Sequence, residues 1–174
     1  GLLMGFNGYM WSQSTIVEVY SLSVLSLMGV IVLLLRWLYQ PEKRRYLYIG
    51  MFIFGICLTN HMSLLVAAMG IEITILAVQP RLARDLFAGN SIIYLLALFF
   101  KAKGWVTTFD NNLPLFVAFN CIGLASILTC GWLTIKTSEL GKEWKAVLIM
   151  AMMWIFGASF YFYMPLTSDR NRAG

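Results

Sequence analysis

Long apolar segments separated by short charged clusters restrict the fold of this chain more than any single motif does. The chain has 174 residues, of which 60% are hydrophobic and 12% are charged, whereas roughly a quarter of a typical soluble domain is charged. Apolar segments of this length predict helices that cross a lipid bilayer, because a spanning helix satisfies its own backbone hydrogen bonds. We therefore expect an all-α, polytopic transmembrane helical bundle.

About six spans are predicted within a single transmembrane domain that covers residues 1–174. Residues 1–10 look like the end of an earlier membrane helix, and Pro165 is predicted to end the last span. The chain opens with Gly1 inside apolar sequence, so we expect it to be an internal fragment of a longer protein. The predicted spans are 15–38, 46–60, 63–79, 86–100, 113–135 and 146–164.

The segment from Tyr46 to Gln79 allows two interpretations, because it is long for one span and short for two. A polar triplet, Thr59-Asn60-His61, lies in its middle. If the chain turns there, two short helices form a hairpin whose turn lies at bilayer depth, where broken helices often carry binding sites. The alternative is one tilted helix in which Asn60 and His61 are buried.

The basic residues outnumber the acidic ones, 13 against 8, and they cluster in short loops between the apolar segments. This distribution indicates membrane topology rather than nucleic-acid binding. We place Arg36–Arg45 in the cytoplasm, which puts Glu18 at the outer surface whether 46–79 is a hairpin or one span. The three cysteines form no CxxC pair and the chain has one histidine, so we expect no zinc or haem site, while a divalent metal stays open.

Glu18 is the strongest candidate for chemistry, because a carboxylate at the mouth of a long apolar run is unfavourable unless it has a partner or a task. On a helix, Trp11, Ser14, Glu18 and Ser21 share one face, and Tyr20 lies off it. Such a carboxylate could act as a general base, orient an acceptor hydroxyl, hold a metal through water or stabilise a cationic sugar-like transition state. It could equally reach water or a lysine at the membrane interface.

Other polar residues in the apolar segments leave further possibilities open. Asn60 and His61 suit a phosphate or sugar hydroxyls, or form a packing pair. Glu72, which lies between apolar neighbours, needs a partner or a cavity; an ion or proton path through Glu18, Glu72 and His61 would make the chain part of a transporter or channel. The cations that could bind a lipid-linked phosphate or lipid headgroups are Lys101, Lys103, Arg170 and Arg172.

Two motifs together resemble a known family. The sequences W-S-Q-S-x-I-x-E-V-Y, here Trp11–Tyr20, and L-T-N-H, here Leu58–His61, are similar to segments of the TMEM260-like protein O-mannosyltransferases. A later Y-x-Y-x-P stretch, here Tyr161–Pro165, fits the same family, which includes many bacterial DUF2723-type members. The family is grouped with the GT-C glycosyltransferases, which use polyprenyl- or dolichyl-phosphate sugars on the non-cytoplasmic side of the membrane.

The resemblance implies a GT-C-like glycosyltransferase that moves mannose or a similar sugar from a polyprenyl-phosphate donor to hydroxyls of exported proteins or glycans. It implies a bacterial inner membrane, with the site facing the periplasm. The lipid-linked sugar is a substrate, and no separate cofactor is expected. Glu18 would be a catalytic acid that orients the acceptor or assists the main base, and the implied substrate-binding residues are Trp11, Ser14, Tyr20, Asn60 and His61.

The chain departs from the family at both ends. The main catalytic acid of the family is expected in an external loop upstream of Gly1, and the family's Asn-Pro-Pro-x-Asn-Trp-like loop does not follow Pro165. We therefore expect the chain by itself to be inactive. A non-catalytic assembly subunit is a third possibility beside the enzyme and the transporter.

Overall fold

The structure, a computed structural model, forms six α-helices in the residues that it describes, which are 8–60, 66–109, 112–139 and 141–172. Side chains are described for residues 24–57, 67–109, 112–139 and 141–160. The all-α prediction is confirmed for the described residues, which contain no β-strand. The helices are α1 (Gly8–Tyr39), α2 (Arg45–Asn60), α3 (Val66–Val78), α4 (Pro80–Ala102), α5 (Leu113–Thr137) and α6 (Trp144–Arg172).

Two helices, α4 and α5, are long and apolar enough to cross a membrane. They contain 23 and 25 residues, which correspond to about 35 and 38 Å, against roughly 30 Å of hydrocarbon. This criterion supports two of the six predicted spans, because in each of the other apolar helices the described side chains cover 10–17 residues. Those stretches are Val24–Tyr39, Arg45–Cys57, Ala67–Val78 and Trp144–Phe160.

Three helix boundaries differ from the predicted ones. α1 includes Gly8, the first described residue, although the predicted span begins at 15; no proline separates the two. α4 begins at Pro80, so the segment predicted as a basic loop forms its first turns; proline is tolerated there because its missing N–H has no helical partner. α6 continues through Pro165 to Arg172, because a proline removes one intrahelical hydrogen bond and a helix in a membrane protein can continue past it.

The chain divides into two compact units, Gly1–Ile71 with Ile149–Gly174, and Glu72–Leu148. In the first unit, α1 packs against α2, and the short connection 40–44 makes the pair antiparallel. The indole of Trp37 is fully buried and donates a hydrogen bond to the Pro41 carbonyl oxygen at 3.2 Å. This bond fixes the connection against the end of α1.

The register of the antiparallel pair follows from two contacts. Gly50 of α2 faces Leu33 of α1, and Gly29 of α1 faces Ile53 of α2. In each contact a glycine lies opposite a larger apolar side chain, so the two helices approach closely. In each contact the two residue numbers add up to 82 or 83, so a residue of α2 lies level with the α1 residue that gives the same sum.

α6 meets α2 in the same unit, where two glycines let the helix backbones touch. A Cβ on Gly157 would overlap the carbonyl oxygen of Phe52, and a Cβ on Gly55 would overlap the carbonyl oxygen of Trp154. Beside this contact, the rings of Phe52 and Phe156 stack with their centroids 5.7 Å apart. Small residues at helix crossings are typical of membrane proteins, where close van der Waals packing drives helix association.

In the second unit, α4 packs against α5 along a polar seam. The Tyr94 ring covers Gly123, where a Cβ would overlap the ring. The Tyr94 hydroxyl donates to Asn120 Oδ1 at 2.8 Å, and Asn120 Nδ2 donates to the Phe116 carbonyl oxygen at 2.7 Å. The side chains of Tyr94 and Asn120 thus both have hydrogen-bond partners, which a low-dielectric environment favours.

A buried ion pair in α4 organises the connection between α5 and α6. Arg84 and Asp85 are both fully buried, and Arg84 Nε donates to Asp85 Oδ1 at 2.8 Å. Arg84 Nη1 donates to Thr137 Oγ1 at 2.8 Å. Asp85 accepts the backbone N–H groups of Gly141 at 3.2 Å and of Glu143 at 2.7 Å. The first turns of α4 therefore tie the end of α5 to the residues just before α6.

The glycine contact between α2 and α6 yields a stability prediction. Gly157→Ala should destabilise the protein by about 2 kcal/mol, since the added methyl overpacks a backbone-to-backbone contact. The expected decrease in the thermal unfolding temperature in detergent is about 4–8 °C. Gly131→Ala is the matched control, because a Cβ at Gly131 meets no atom within 4 Å. A decrease of the same size in the control would contradict the assignment.

The buried ion pair yields a second prediction. Asp85→Asn should lower the free energy of unfolding by about 3–5 kcal/mol, because it leaves the Arg84 guanidinium buried without a counter-charge. Glu139→Gln is the control: its ion pair with Lys142 is exposed, although the hydrogen bond from Lys142 holds the pKa of Glu139 below its usual value. Denaturant unfolding should find the control unchanged. If both substitutions lowered the free energy of unfolding equally, the buried ion pair of Asp85 would stabilise the protein no more than the exposed pair of Glu139.

Candidate functional site

The predicted site lies on the N-terminal half of α1, where the structure describes the backbone but not the side chains of residues 8–23. α1 is one uninterrupted helix, so Trp11, Ser14, Glu18 and Ser21 occupy about 80° of its circumference. Tyr20 falls on the other side of the helix. The helix on which the polar face depends is therefore present, while the roles of these side chains stay predictions.

The second predicted motif, Leu58–His61, lies at the C-terminal end of α2. Asn60 is the last residue of that helix; its side chain is not among those described, and His61 lies outside the described residues. The register of the antiparallel pair places the backbone of Asn60 level with residues 22 and 23 of α1. Glu18 is then about 7 Å farther along the α1 axis, at 1.5 Å per residue.

The antiparallel register therefore brings the two motifs to the same end of the first unit. It does so through α1 and α2 alone, so it does not depend on whether 46–79 forms a hairpin or one tilted span. The described residues contain two helices in that segment, α2 and α3, and the connection 61–65 between them lies outside the description. The hairpin thus stays a prediction.

Glu72, the acid in the middle of an apolar segment, has a partner in the second unit. Asn90 Nδ2 of α4 donates a hydrogen bond to Glu72 Oε1 at 2.7 Å, and both residues are half-buried. Sequence reasoning expected a partner or a cavity for Glu72 but did not single out Asn90. The sequence feature that could have pointed to Asn90 is its amide side chain within the apolar sequence of α4. The bond offers an explanation of Glu72 that is structural and requires no proton path.

The lysines that could bind a lipid-linked phosphate contact aromatic rings. Lys101 Nζ lies 4.8 Å from the centroid of the Phe116 ring, and Lys103 Nζ lies 5.8 Å from that of Phe99. The rings attract the ammonium groups electrostatically, and Lys103 stays exposed while Lys101 is half-buried. The side chains of Arg170 and Arg172 are not described. In the described part of the chain, no three His, Cys, Asp or Glu side chains are grouped as metal ligands.

Comparison with known proteins bears on the N-terminal part of the chain. Residues 1–83, a little under half of the chain, match the family model of the Protein O-mannosyl-transferase TMEM260 N-terminal domain. No curated protein and no solved structure matches the chain. The matched residues include α1 and α2 with both motifs, Trp11–Tyr20 and Leu58–His61. The segment that carries the predicted site is therefore similar to the N-terminal domain of a protein O-mannosyltransferase.

Proposed function

We propose that the chain is part of a membrane glycosyltransferase that transfers mannose or a similar sugar from a polyprenyl-phosphate donor to hydroxyls of exported proteins or glycans. The family match over residues 1–83 carries the proposal. The match points to an O-mannosyltransferase-related function. The polyprenyl-phosphate donor and the hydroxyl acceptor are added from the chemistry expected of the site. No separate cofactor is invoked, because the lipid-linked sugar is itself the activated substrate.

The placement of the two motifs supports one site rather than two. Glu18 lies on the polar face of α1, and the register of α1 and α2 brings the backbone of Asn60 within about two helical turns of it. We assign Glu18 to the acceptor and Asn60 and His61 to the donor. A carboxylate accepts a hydroxyl proton well, and amide and imidazole N–H groups donate well to phosphate oxygens.

In the proposed reaction, the acceptor hydroxyl oxygen attacks the anomeric carbon of the donor sugar. The bond between that carbon and the phosphate oxygen breaks, and the polyprenyl phosphate leaves with the bonding electrons. Glu18 accepts a hydrogen bond from the attacking hydroxyl and orients it, while the proton passes to a general base. Asn60 and His61 stabilise the charge that develops on the leaving phosphate, and Trp11, Ser14 and Tyr20 shape the sugar pocket.

The site is assigned to the non-cytoplasmic face of the membrane, which in a bacterial cell is the periplasmic side of the inner membrane. The basic connection between α1 and α2 supports this orientation, because arginine and lysine accumulate on the cytoplasmic side. Glu18 lies 18 residues before Arg36 on α1, a distance of about 27 Å along the helix. That distance nearly crosses the roughly 30 Å of hydrocarbon, so Glu18 lies close to the opposite surface. We also keep six membrane spans for this chain as part of the proposal.

The ion or proton path through Glu18, Glu72 and His61 has no observation in its favour. The described partner of Glu72 is Asn90, whose amide does not titrate, and Glu72 belongs to a different compact unit from Glu18. A transporter would require flux in liposomes that depends on Glu72 and does not consume lipid-linked sugar. The glycosyltransferase requires consumption of that sugar, so the two functions are separable by assay.

The proposal predicts the effect of Glu18→Gln in the full-length protein. Turnover of polyprenyl-phosphate mannose in detergent, with an acceptor peptide rich in serine and threonine, should decrease about 100-fold or more, since a positioned acid contributes about that factor. The unfolding temperature should change little. Glu139→Gln, which removes an exposed acid in the second unit, should keep full turnover.

Full turnover by Glu18→Gln would show that Glu18 has no catalytic role. Absence of turnover by the unmodified full-length protein, together with ion flux that Glu72→Gln abolishes, would overturn the glycosyltransferase proposal itself. In sealed vesicles, the proposal also requires that the acceptor reaches the enzyme from the non-cytoplasmic side.

A further inference from the structure

A basic cleft lies at the turn between α1 and α2, at the opposite end of this helix pair from Glu18. It has a volume of about 320 Å³ and is lined by Arg36, Tyr39, Gln40, Lys43 and Tyr46. Two of these side chains carry positive charge, two carry a phenol hydroxyl and one carries an amide. The lining contains no acid, so the cleft offers hydrogen-bond donors and positive charge to an anion.

The ring of Tyr46 contacts two arginines, Arg36 in the lining of the cleft and Arg45 next to it in sequence. The Arg36 guanidinium lies 5.9 Å from the centroid of the Tyr46 ring, and the Arg45 guanidinium lies 5.1 Å from it. Arg45 Nη2 also donates to the Tyr46 hydroxyl at 3.3 Å. Because the hydroxyl accepts that bond, its own proton points elsewhere and can be donated to a bound oxygen.

The backbone around the cleft is fixed by the turn itself. The buried Trp37 indole bonds to the Pro41 carbonyl oxygen, and the Lys43 N–H donates to the Gln40 carbonyl oxygen at 3.0 Å. These bonds hold the segment between Arg36 and Lys43 in one conformation. Binding an anion at a fixed backbone turn costs less conformational freedom than binding it in a mobile loop.

The surroundings of the cleft favour a lipid over a free ion. Leu35 and Leu38 on α1, and Ile49 on α2, expose 49%, 42% and 42% of their surface beside the lining residues. Tyr39, at the rim, is 83% exposed, as is typical of aromatic side chains at the membrane interface. An anion in the cleft that also carries acyl chains can therefore place them against exposed apolar side chains of α1 and α2.

We propose that this cleft binds the phosphate of an anionic phospholipid headgroup, with Arg36 and Lys43 as its counter-ions and the Tyr46 hydroxyl as a hydrogen-bond donor. The site is separate from the proposed sugar-transfer site, because about 27 Å of α1 lies between Arg36 and Glu18. It would anchor the turn between α1 and α2 at the membrane surface. The lipid therefore stabilises the same helix pair that presents Glu18 at its other end.

The test measures lipid retention by the purified full-length protein with native mass spectrometry, after exchange into phosphatidylglycerol or phosphatidylcholine. The unmodified protein should retain phosphatidylglycerol in preference to phosphatidylcholine. The double variant Arg36→Gln, Lys43→Gln should bind phosphatidylglycerol about thirtyfold more weakly, or about fivefold per basic residue near an anionic lipid surface. The charge-preserving pair Arg36→Lys, Lys43→Arg should retain most of the affinity, which separates charge from misfolding.

Lys136→Gln, Lys145→Gln is the matched control, since it removes the same charge from two residues that do not line the cleft. Equal weakening in this control would overturn the proposal, because retention would then follow net charge rather than the cleft. Inorganic phosphate at millimolar concentration distinguishes the two sources of phosphate. If it displaces phosphatidylglycerol completely, the cleft is a site for a free anion, and the assignment to a lipid is wrong.

Discussion

The antiparallel contact between α1 and α2 is the constraint on which the proposed site depends. The Trp37–Pro41 hydrogen bond fixes the turn, and the glycines at positions 29 and 50 fix the register. This register puts the end of α2, with the backbone of Asn60, level with a turn of α1 that lies about 20 Å along the helix from Arg36 of the basic cleft. The pair thus presents two ends of different chemistry: an acid and an amide at one end, and clustered cations at the other.

Hydrogen bonds between buried polar groups stabilise the helix arrangement of the second unit. Asp85 pairs with the Arg84 guanidinium and accepts two backbone N–H groups, and Asn90 donates to Glu72. Each of these groups would be unfavourable in hydrocarbon without its partner. We infer that the charged residues of α3 and α4 stabilise the helix arrangement, and that the chemistry is concentrated in the first unit.

The helical class follows from the sequence because apolar segments of this composition have no other way to satisfy their backbone. The predicted polar face of α1 required only a continuous helix, and that helix is present. The helix boundaries at Pro80 and Pro165 differ from the prediction, because the charged residues 80–85 were read as a loop and Pro165 as a stop signal. Proline is tolerated in a first turn and within membrane helices. The partners Asn90 and Thr137 depend on contacts distant in sequence, which helical periodicity does not encode.

Photo-cross-linking would show directly whether the donor sugar binds at the Glu18 end of the helix pair. A polyprenyl-phosphate mannose with a diazirine on the sugar would be irradiated with the full-length protein, and the modified peptides would be identified by mass spectrometry. We expect adducts within residues 11–23 or 58–61, and excess unlabelled donor should prevent them. Adducts confined to the cleft between Arg36 and Tyr46 would contradict this expectation.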